Sequence, residues 1–308
     1  MRSPKKILTV AVLLILFVGG PFLLPIKNPP HVQLPAEILA GSGMLIVTNT
    51  MTAAWASIIV LAVLVYFGTR KMKEVPGRLQ ALVELLIEFV LNLCTSVAGP
   101  ERARKFFALC ATLFLFILMS NWMGLLPGYG TIGVWHDKET SKVATVQAQT
   151  SEVRGAPDSG GHESERVLYA FFRSANTDLN TTIALALISV IATQVYGFRA
   201  LGIKGYASRF LNFSGPIDFF VGFLETVSEI AKIISLSFRL FGNVFAGEVL
   251  LAVMAFLVPW IASVPFMGLE MFVGVMQAFV FMMLTLVFLT IGTTGHGAEH
   301  GTEHSGSH

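Results

Sequence analysis

Long apolar runs, separated by short polar or basic segments, dominate this chain. They occupy positions 7–26, 44–68, 106–126, 178–198, 216–258 and 266–291. A helix needs about 20 mostly apolar residues to cross the roughly 30 Å hydrocarbon core of a bilayer. The pattern therefore predicts an all-α, polytopic membrane protein with about five to six membrane helices.

The first apolar run allows two interpretations. Arg2, Lys5 and Lys6 precede it, as in a secretory signal peptide and equally in a retained anchor helix. No clear A-x-A cleavage pattern follows, so cleavage and retention both remain open. We treat residues 1–43 as an N-terminal signal or anchor helix followed by an outer segment.

Residues 76–98 differ from the spanning runs. Glu84 and Glu88 lie one turn apart among leucines, which is typical of an amphipathic helix at the membrane surface. Basic clusters on both sides of this segment mark the cytoplasmic side. Residues 44–126 thus form a first spanning helix, an amphipathic interfacial helix and a second spanning helix.

The rest of the chain divides into three parts. Residues 127–175 are polar with little hydrophobic periodicity, and we expect a long outer (periplasmic) loop, since long loops cross membranes regardless of charge. Residues 176–291 carry the remaining membrane helices. Residues 292–308 contain four histidines and, by parity of the spans, form a cytoplasmic tail. Its glycines favour a flexible tail over a metal site.

The run at 216–258 has no internal proline and is too long for one upright span. About 43 residues would form a helix about 64 Å long, twice the thickness of the bilayer core. The run is therefore either two helices or one strongly tilted helix. The last run, at 266–291, is also rather long for an upright span.

Composition supports a membrane protein and excludes several other classes. Hydrophobic residues make up 54% of the 308 positions and charged residues 13%, against about 25% charged in soluble domains. With a mean hydropathy of +0.70, a soluble enzyme, a collagen and a disordered chain are excluded. The net charge of +2 provides no basic field for a nucleic-acid partner. We expect Cys94 and Cys110 to be small buried residues.

Ionisable residues recur inside the run at 216–258, although a charged side chain at membrane depth is costly. Glu225, Lys232 and Arg239 are each seven residues apart, so they share one helical face. Ser235 and Asn243 lie four residues before and after Arg239, on that same face. Arg239 has no acidic residue three or four positions away and so lacks a partner in its own helix. Such residues usually face water or protein and mark an ion path.

A second polar group lies on the other side of this arginine. Glu248 follows Arg239 by nine residues, which places it about half a turn round the helix. Glu270 and Gln277 are seven apart and form a single-face polar pair on the final helix. A proton route needs titratable or hydrogen-bonding groups in series, and these residues provide them.

Residues 237–251 read SFRLFGNVFAGEVLL, in which an arginine is followed by LFGN and then by AGE. This block closely resembles the signature of subunit a of F-type ATP synthases. Further similarity lies in ETVSEIAKIIS upstream, QAFVFMMLT downstream, NTDLNTTIALAL from Asn176 and SNWMGLLPG from Ser120. The resemblance covers most of the chain from about residue 44.

The resemblance implies a proton-channel subunit of the membrane Fo sector, with two half-channels beside a rotating ring of c subunits. It implies b subunits and the rest of the ATP synthase complex as further partners, and no cofactor. The subunit would not be an enzyme by itself, and the chain indeed has no G-x-x-x-x-G-K-[ST] nucleotide motif. The expected location is the bacterial inner membrane.

The resemblance also assigns roles to eight polar residues. The essential arginine at the c-ring interface matches Arg239, whose missing partner would be a c-subunit carboxylate. The outer half-channel pair matches Glu248 and Glu270. Asn243 and Gln277 match positions beside the arginine. Three further residues match positions near the inner half-channel: Glu225, Lys232 and Ser235.

Three features bear on how far the resemblance extends. Some relatives carry histidine at one of the two outer half-channel positions, whereas both are glutamate here, so a histidine-based protonation scheme does not transfer. The family has two long, steeply tilted C-terminal helices, which would accommodate the run at 216–258. The N-terminal helix and the outer loop look longer than is common in the family.

Two other functions use the same residues. A proton-coupled secondary transporter would use the acids to move a substrate, although no inverted repeat is visible in the sequence. A structural membrane scaffold would use the charges only for assembly and would tolerate Arg239→Lys.

Overall fold

Six long helices make up most of the structure. The computed structural model describes residues 38–40, 47–70, 72–126, 129, 133–137, 166–210, 216–257 and 263–294. In chain order the helices are α1 (Asn49–Thr69), α2 (Arg78–Ala98), α3 (Pro100–Gly124), α4 (Leu179–Phe210), α5 (Pro216–Leu257) and α6 (Ser263–Thr293). α4 is interrupted by a kink at Gly202, whose φ is 74°. Each contains a stretch long and apolar enough to cross a membrane, which confirms the predicted all-α, polytopic membrane fold. The apolar run at 7–26 and the histidines of the tail lie outside the described residues.

Two short antiparallel strand pairs accompany the helices. They are β1 (Ile38–Ala40) with β2 (Val47–Thr48), and β3 (Gly133–Asp137) with β4 (Arg166–Ala170). The second pair lies within the predicted outer loop, where weak hydrophobic periodicity gave no indication of strands. A 3-10 turn (Ala175–Thr177) then leads from β4 towards α4.

The run at 216–258 forms one continuous helix, α5, of 42 residues, and not two helices. At 1.5 Å per residue it is about 63 Å long, about twice the hydrocarbon thickness. α6 has 31 residues and is also longer than an upright span requires. These lengths agree with the two long C-terminal helices of the prediction, and their tilt stays a prediction.

α2 and α3 form a hairpin joined through a single residue. Gly99 has a φ of 79°, a left-handed conformation that glycine adopts without strain, and Pro100 starts α3 where no backbone donor is needed. The rings of Phe89 and Phe114 lie 6.2 Å apart across the hairpin. The exposed face of α2 carries both predicted glutamates. By length and composition α2 could itself cross a membrane, so its interfacial position stays a prediction.

α3 and α6 form the centre of the hydrophobic core, packed against faces of the other helices. Fully buried side chains from five helices meet there, among them Val90, Cys94, Phe106, Cys110, Ile117, Ala186, Leu240, Phe281 and Leu286. Both cysteines are buried and free, as expected.

Hydrogen bonds join α6 to α3 and α4 at defined positions along the helices. The Asn121 amide donates to the carbonyl oxygen of Gly274 at 3.2 Å, and the Trp122 indole N–H donates to that of Met271 at 3.3 Å. The hydroxyls of Ser189 and Thr285 lie 2.8 Å apart. Each such contact stabilises helix association in lipid by about 0.5–2 kcal/mol. Together they fix the register of α6 and hence the position of the acid it carries.

Candidate functional site

The predicted site residues of α5 follow one another along an unbroken helix. From Glu225 to Glu248 the helix rises about 35 Å, close to the roughly 30 Å of a hydrocarbon core. Arg239 lies between these two acids. Because α5 has no break, the shared face predicted from the spacing of seven residues is retained.

Arg239 is exposed on the outer surface of α5. Among the described residues, no hydrogen bond or ion pair to its guanidinium is present. An exposed apolar stripe runs along the same helix and ends beside it; its members are Phe223, Val227, Ile230, Ile234 and Phe238. Arginine stays charged at any physiological pH, and a bare cation among apolar side chains is costly in a membrane. The guanidinium therefore requires water or an anion from outside the described residues.

Two turns before Arg239, a lysine is compensated locally. Lys232 Nζ lies 2.6 Å from Oε1 of Glu229, three residues earlier on the same helix, and the two form an ion pair. The same ammonium lies 5.0 Å from the ring centroid of Phe288 on α6, a cation–π contact. Glu225 is half-buried, and Ser235 is exposed on the face of Arg239.

One turn after Arg239, an amide pair joins α5 to α6. The Asn243 amide nitrogen donates to Gln277 Oε1 at 2.5 Å. Gln277 is buried at 4% exposure, and within the described residues its own amide nitrogen has no acceptor. Asn243 is exposed, so the pair connects the surface that carries Arg239 with the interior beside α6.

Glu248 and Glu270 line one cavity of about 200 Å³ between α3, α5, α6 and the segment before α4. Its other polar lining residues are Asn121, Tyr129, Arg173, Ser174 and Thr177. A space of this size, edged by hydroxyl, amide and carboxylate groups, accommodates several water molecules. The two acids predicted to act together are thus brought together from different helices.

The carboxyl group of Glu270 rests directly on the backbone of α5. A Cβ atom built on Gly247 would overlap all three of its terminal atoms. Only the absence of a side chain at Gly247 lets this acid approach the helix beside Glu248. The AGE motif thus provides an acid and also the space for a second acid.

Glu248 is held by a residue that sequence analysis did not include. Arg173 Nε donates to Glu248 Oε1 at 3.2 Å and to Oε2 at 3.4 Å, and its Nη2 donates to Oε2 at 3.3 Å. The arginine side chain is only 10% exposed, whereas that of Glu248 is 42% exposed. The cation therefore belongs to the wall of the cavity and the carboxylate faces its space.

Two further hydroxyls face the cavity without partners of their own. Among the described residues, Tyr129 Oη and Ser174 Oγ have no hydrogen-bond partner although both atoms are buried. Burial raises the pKa of the Tyr129 hydroxyl above its ordinary value, so this group stays a neutral donor at physiological pH. Buried polar atoms nearly always have partners, and water in the cavity would provide them.

Asn121 connects the cavity to the helix scaffold. Its Oδ1 accepts from the Asn176 amide at 2.7 Å, while its own amide holds α6. Thr50 of α1 donates to Asp178 Oδ2 at 3.1 Å, which attaches the start of α4 to the first helix. No group of three His, Cys, Asp or Glu in the described part of the chain is suited to hold a metal ion.

The overlooked residues left only weak signals in the sequence. Arg173 is a basic residue just before an apolar helix, on the side predicted to be outer, where basic residues are unusual near helix ends. Tyr129 follows LLPG in a polar segment and shows no pattern. Their importance arises from contacts across long sequence separations, 75 residues between Arg173 and Glu248.

Comparison with known proteins agrees with the earlier resemblance. A family model described as ATP synthase A chain matches residues 34–290. ATP synthase subunit a of Helicobacter pylori is 33% identical over 240 residues, covering 75% of this chain and 85% of that protein. ATP synthase subunit a of Moorella thermoacetica is 29% identical over 266 residues, which cover 86% of this chain and 99% of that protein. The matched range contains every site residue described above.

Proposed function

Because the chain belongs to the family of F-type ATP synthase subunit a, we propose that it conducts protons past a ring of c subunits without catalysing a reaction itself. It is a multi-pass membrane subunit of the ATP synthase complex. Two half-channels, an arginine facing the c-ring, and contacts with b subunits are the finer parts of this proposal. A transporter working alone has no support from these relatives.

The observation that carries the proposal is Arg239, which is exposed and has no partner within the described part of the chain. A permanent cation on an apolar membrane surface is favourable only when an anion approaches it. A protonated carboxylic acid on a neighbouring subunit would lose its proton near this charge, because an opposite charge stabilises the ionised form. The apolar stripe beside Arg239 supplies a surface along which such a neighbour can slide.

The polar groups on each side of Arg239 support two separate half-channels. Glu248, Glu270 and the amide pair Asn243–Gln277 would form the outer one, around the water-sized cavity. Lys232, Ser235 and Glu225 would line the inner one. Arg239 between them would block direct passage, because a fixed cation repels a hydrated proton.

Orientation and domain roles extend the proposal. Basic clusters after the first span and at the start of α3 would face the cytoplasm of a bacterial cell, in its inner membrane. Parity then puts the C-terminus of α6 and the 292–308 tail in the cytoplasm. Residues 1–43 would serve as a signal or anchor helix and an outer segment, and residues 44–126 as two spanning helices with an amphipathic helix between them. Residues 127–175 would form the outer loop and residues 176–291 the proton channel.

A proximity experiment tests the proposed c-ring interface. In a chain with Cys94 and Cys110 changed to alanine, Asn243→Cys is labelled with a maleimide–benzophenone reagent and irradiated in membranes. We expect a covalent adduct with a small two-helix membrane protein that carries a carboxylate within one helix. Leu240→Cys is the matched control, since Leu240 is fully buried on the same helix. Adducts of position 243 with lipid alone would contradict the interface.

The close contact between Gly247 and Glu270 gives a second test. We expect Gly247→Ala to slow ATP-driven proton pumping several-fold, because the new methyl group displaces the Glu270 carboxyl group. The chain should still accumulate in membranes, since the displaced group is the end of a flexible side chain and alanine favours a helix over glycine. Pumping in inverted membrane vesicles is the measurement.

Gly268→Ala is the matched control for this glycine. It lies two residues from Glu270 on α6, and a Cβ there would meet nothing within 4 Å. Equal pumping by the two alanine variants would show that the position of the Glu270 carboxyl group is unimportant.

A further inference from the structure

A nearly buried arginine forms one wall of the cavity that holds the two acids. Arg173 follows β4 and lies before the 3-10 turn that leads into α4, so its backbone belongs to the segment that connects β4 to α4. Its side chain reaches Glu248 on α5 through two of its nitrogens. Nothing in the motif around Glu248 indicates such a contact.

The geometry suits arginine specifically. Nε and Nη2 form a rigid fork that contacts both carboxylate oxygens, at 3.2–3.4 Å. A lysine ammonium could supply the charge but not the two parallel donors. The fork therefore fixes the orientation of the Glu248 carboxylate as well as its distance.

The difference in burial separates the roles of the two partners. Arg173 is 10% exposed and needs an anion at all times, because an unpaired buried cation is strongly unfavourable. Glu248 is 42% exposed and keeps part of its carboxylate accessible to the cavity. Arg173 is thus held within the protein, whereas part of the Glu248 side chain is exposed.

The charges around the cavity make the arginine relevant to proton movement. Glu270 from α6 lines the same space, as does the neutral Tyr129 hydroxyl. Without Arg173 the cavity would contain two acids and no cation among its described lining residues. Two carboxylates in one site disfavour each other's ionised form, and a fixed cation relieves that repulsion.

We propose that Arg173 is a positioning residue for proton uptake, which holds the Glu248 carboxylate in the orientation that exchanges protons with the cavity. This role rests on the proposed function of Glu248 in the outer half-channel. Arg173 itself carries no proton along the route, because a guanidinium does not deprotonate at physiological pH. It acts only through the carboxylate that it holds.

The test is a double-mutant cycle on ATP-driven proton pumping in inverted vesicles of the assembled complex. Arg173→Gln should slow pumping about tenfold, and Arg173→Lys should slow it less, because the lysine retains the charge. Combined with Glu248→Gln, Arg173→Gln should cause no further loss, since residues that act through one another are not additive. Arg104→Gln, an exposed arginine on α3, should pump normally.

The cycle distinguishes failure of this inference from failure of the proposed function. Unchanged pumping in Arg173→Gln, or losses that multiply with those of Glu248→Gln, would overturn the role of Arg173 alone. Normal pumping in Glu248→Gln itself would overturn the outer half-channel and this inference with it. A purely structural role for Arg173 predicts that less chain accumulates in the membranes while the pumping rate per chain stays unchanged.

A second pair of variants keeps the test decisive if Arg173→Gln fails to accumulate in membranes. Arg173→Lys and Glu248→Asp both retain their charges, but the shorter aspartate withdraws from the fork. We expect Glu248→Asp to slow pumping several-fold and the double variant to slow it no further. If the fold-reductions in pumping of the two single variants multiplied in the double variant, the proposal would be contradicted. Immunoblots of the membranes normalise each pumping rate to the amount of chain present.

Discussion

Replacement of Arg239 by alanine is expected to abolish ATP-driven proton pumping in inverted membrane vesicles. Among the described residues the guanidinium has no partner, so its removal should leave the fold and the cavity unchanged. What disappears is the cation that would make a passing carboxylic acid release its proton. Quenching of a pH-sensitive dye on addition of ATP measures the loss, which should be complete.

The same variant should allow protons to leak between the two sides. A proton crossing 100 mV releases about 2.3 kcal/mol, and this energy drives rotation only if the two half-channels are not directly connected. Without the fixed cation at position 239, vesicles stripped of the ATP-hydrolysing part should be more permeable to protons than vesicles that lack the chain. Tight vesicles would show that the arginine does not act as a barrier.

Arg239→Lys distinguishes this mechanism from a scaffold. A scaffold needs only a positive charge and would tolerate the change. Lysine, however, can lose its proton in an apolar setting, and it lacks the rigid guanidinium plane that faces a carboxylate. We therefore expect pumping to remain strongly impaired. Arg199→Ala, at an exposed arginine of α4, is the control and should pump normally.

The sequence was most informative where the pattern is local. Apolar runs predicted the described helices, and the spacing of Glu225, Lys232 and Arg239 predicted one shared face, because both properties depend on residues close in the chain. Whether the run at 216–258 forms one helix or two could not be decided in this way. Helix continuity there depends on packing against neighbouring helices, chiefly α4, and packing is a property of the folded chain.

The composition of the cavity was only partly predictable. Glu248 and Glu270 belong to recognisable motifs, and they do meet. Arg173 and Tyr129 come from a polar segment whose position is fixed by the strand pair β3–β4 and by contacts of the 3-10 turn. Gly247 is visible in the motif, but its role depends on the register between α5 and α6, which the hydrogen bond from Asn243 to Gln277 helps to fix.

Simultaneous replacement of Glu248 and Glu270 by glutamine is expected to slow proton transport by about a hundredfold. This is the lower end of the rate loss that usually follows removal of a positioned proton-transfer group. Glutamine has nearly the size of glutamate and still forms hydrogen bonds, but it cannot take up and release a proton at physiological pH. Both acids line one cavity, so either could partly replace the other in the single variants. The initial rate of ATP-driven acidification is the measurement.

The two single variants separate transport from stability in this experiment. Glu248→Gln removes the carboxylate that the nearly buried Arg173 contacts on α5, so part of any loss reflects a weakened fold. Glu270→Gln leaves that ion pair intact, and a slower rate in this variant reports on the proton path directly. Glu88→Gln, an exposed acid on α2, provides the control. If the double variant pumped at the normal rate, neither acid would lie on the path, and the cavity would be only a gap between helices.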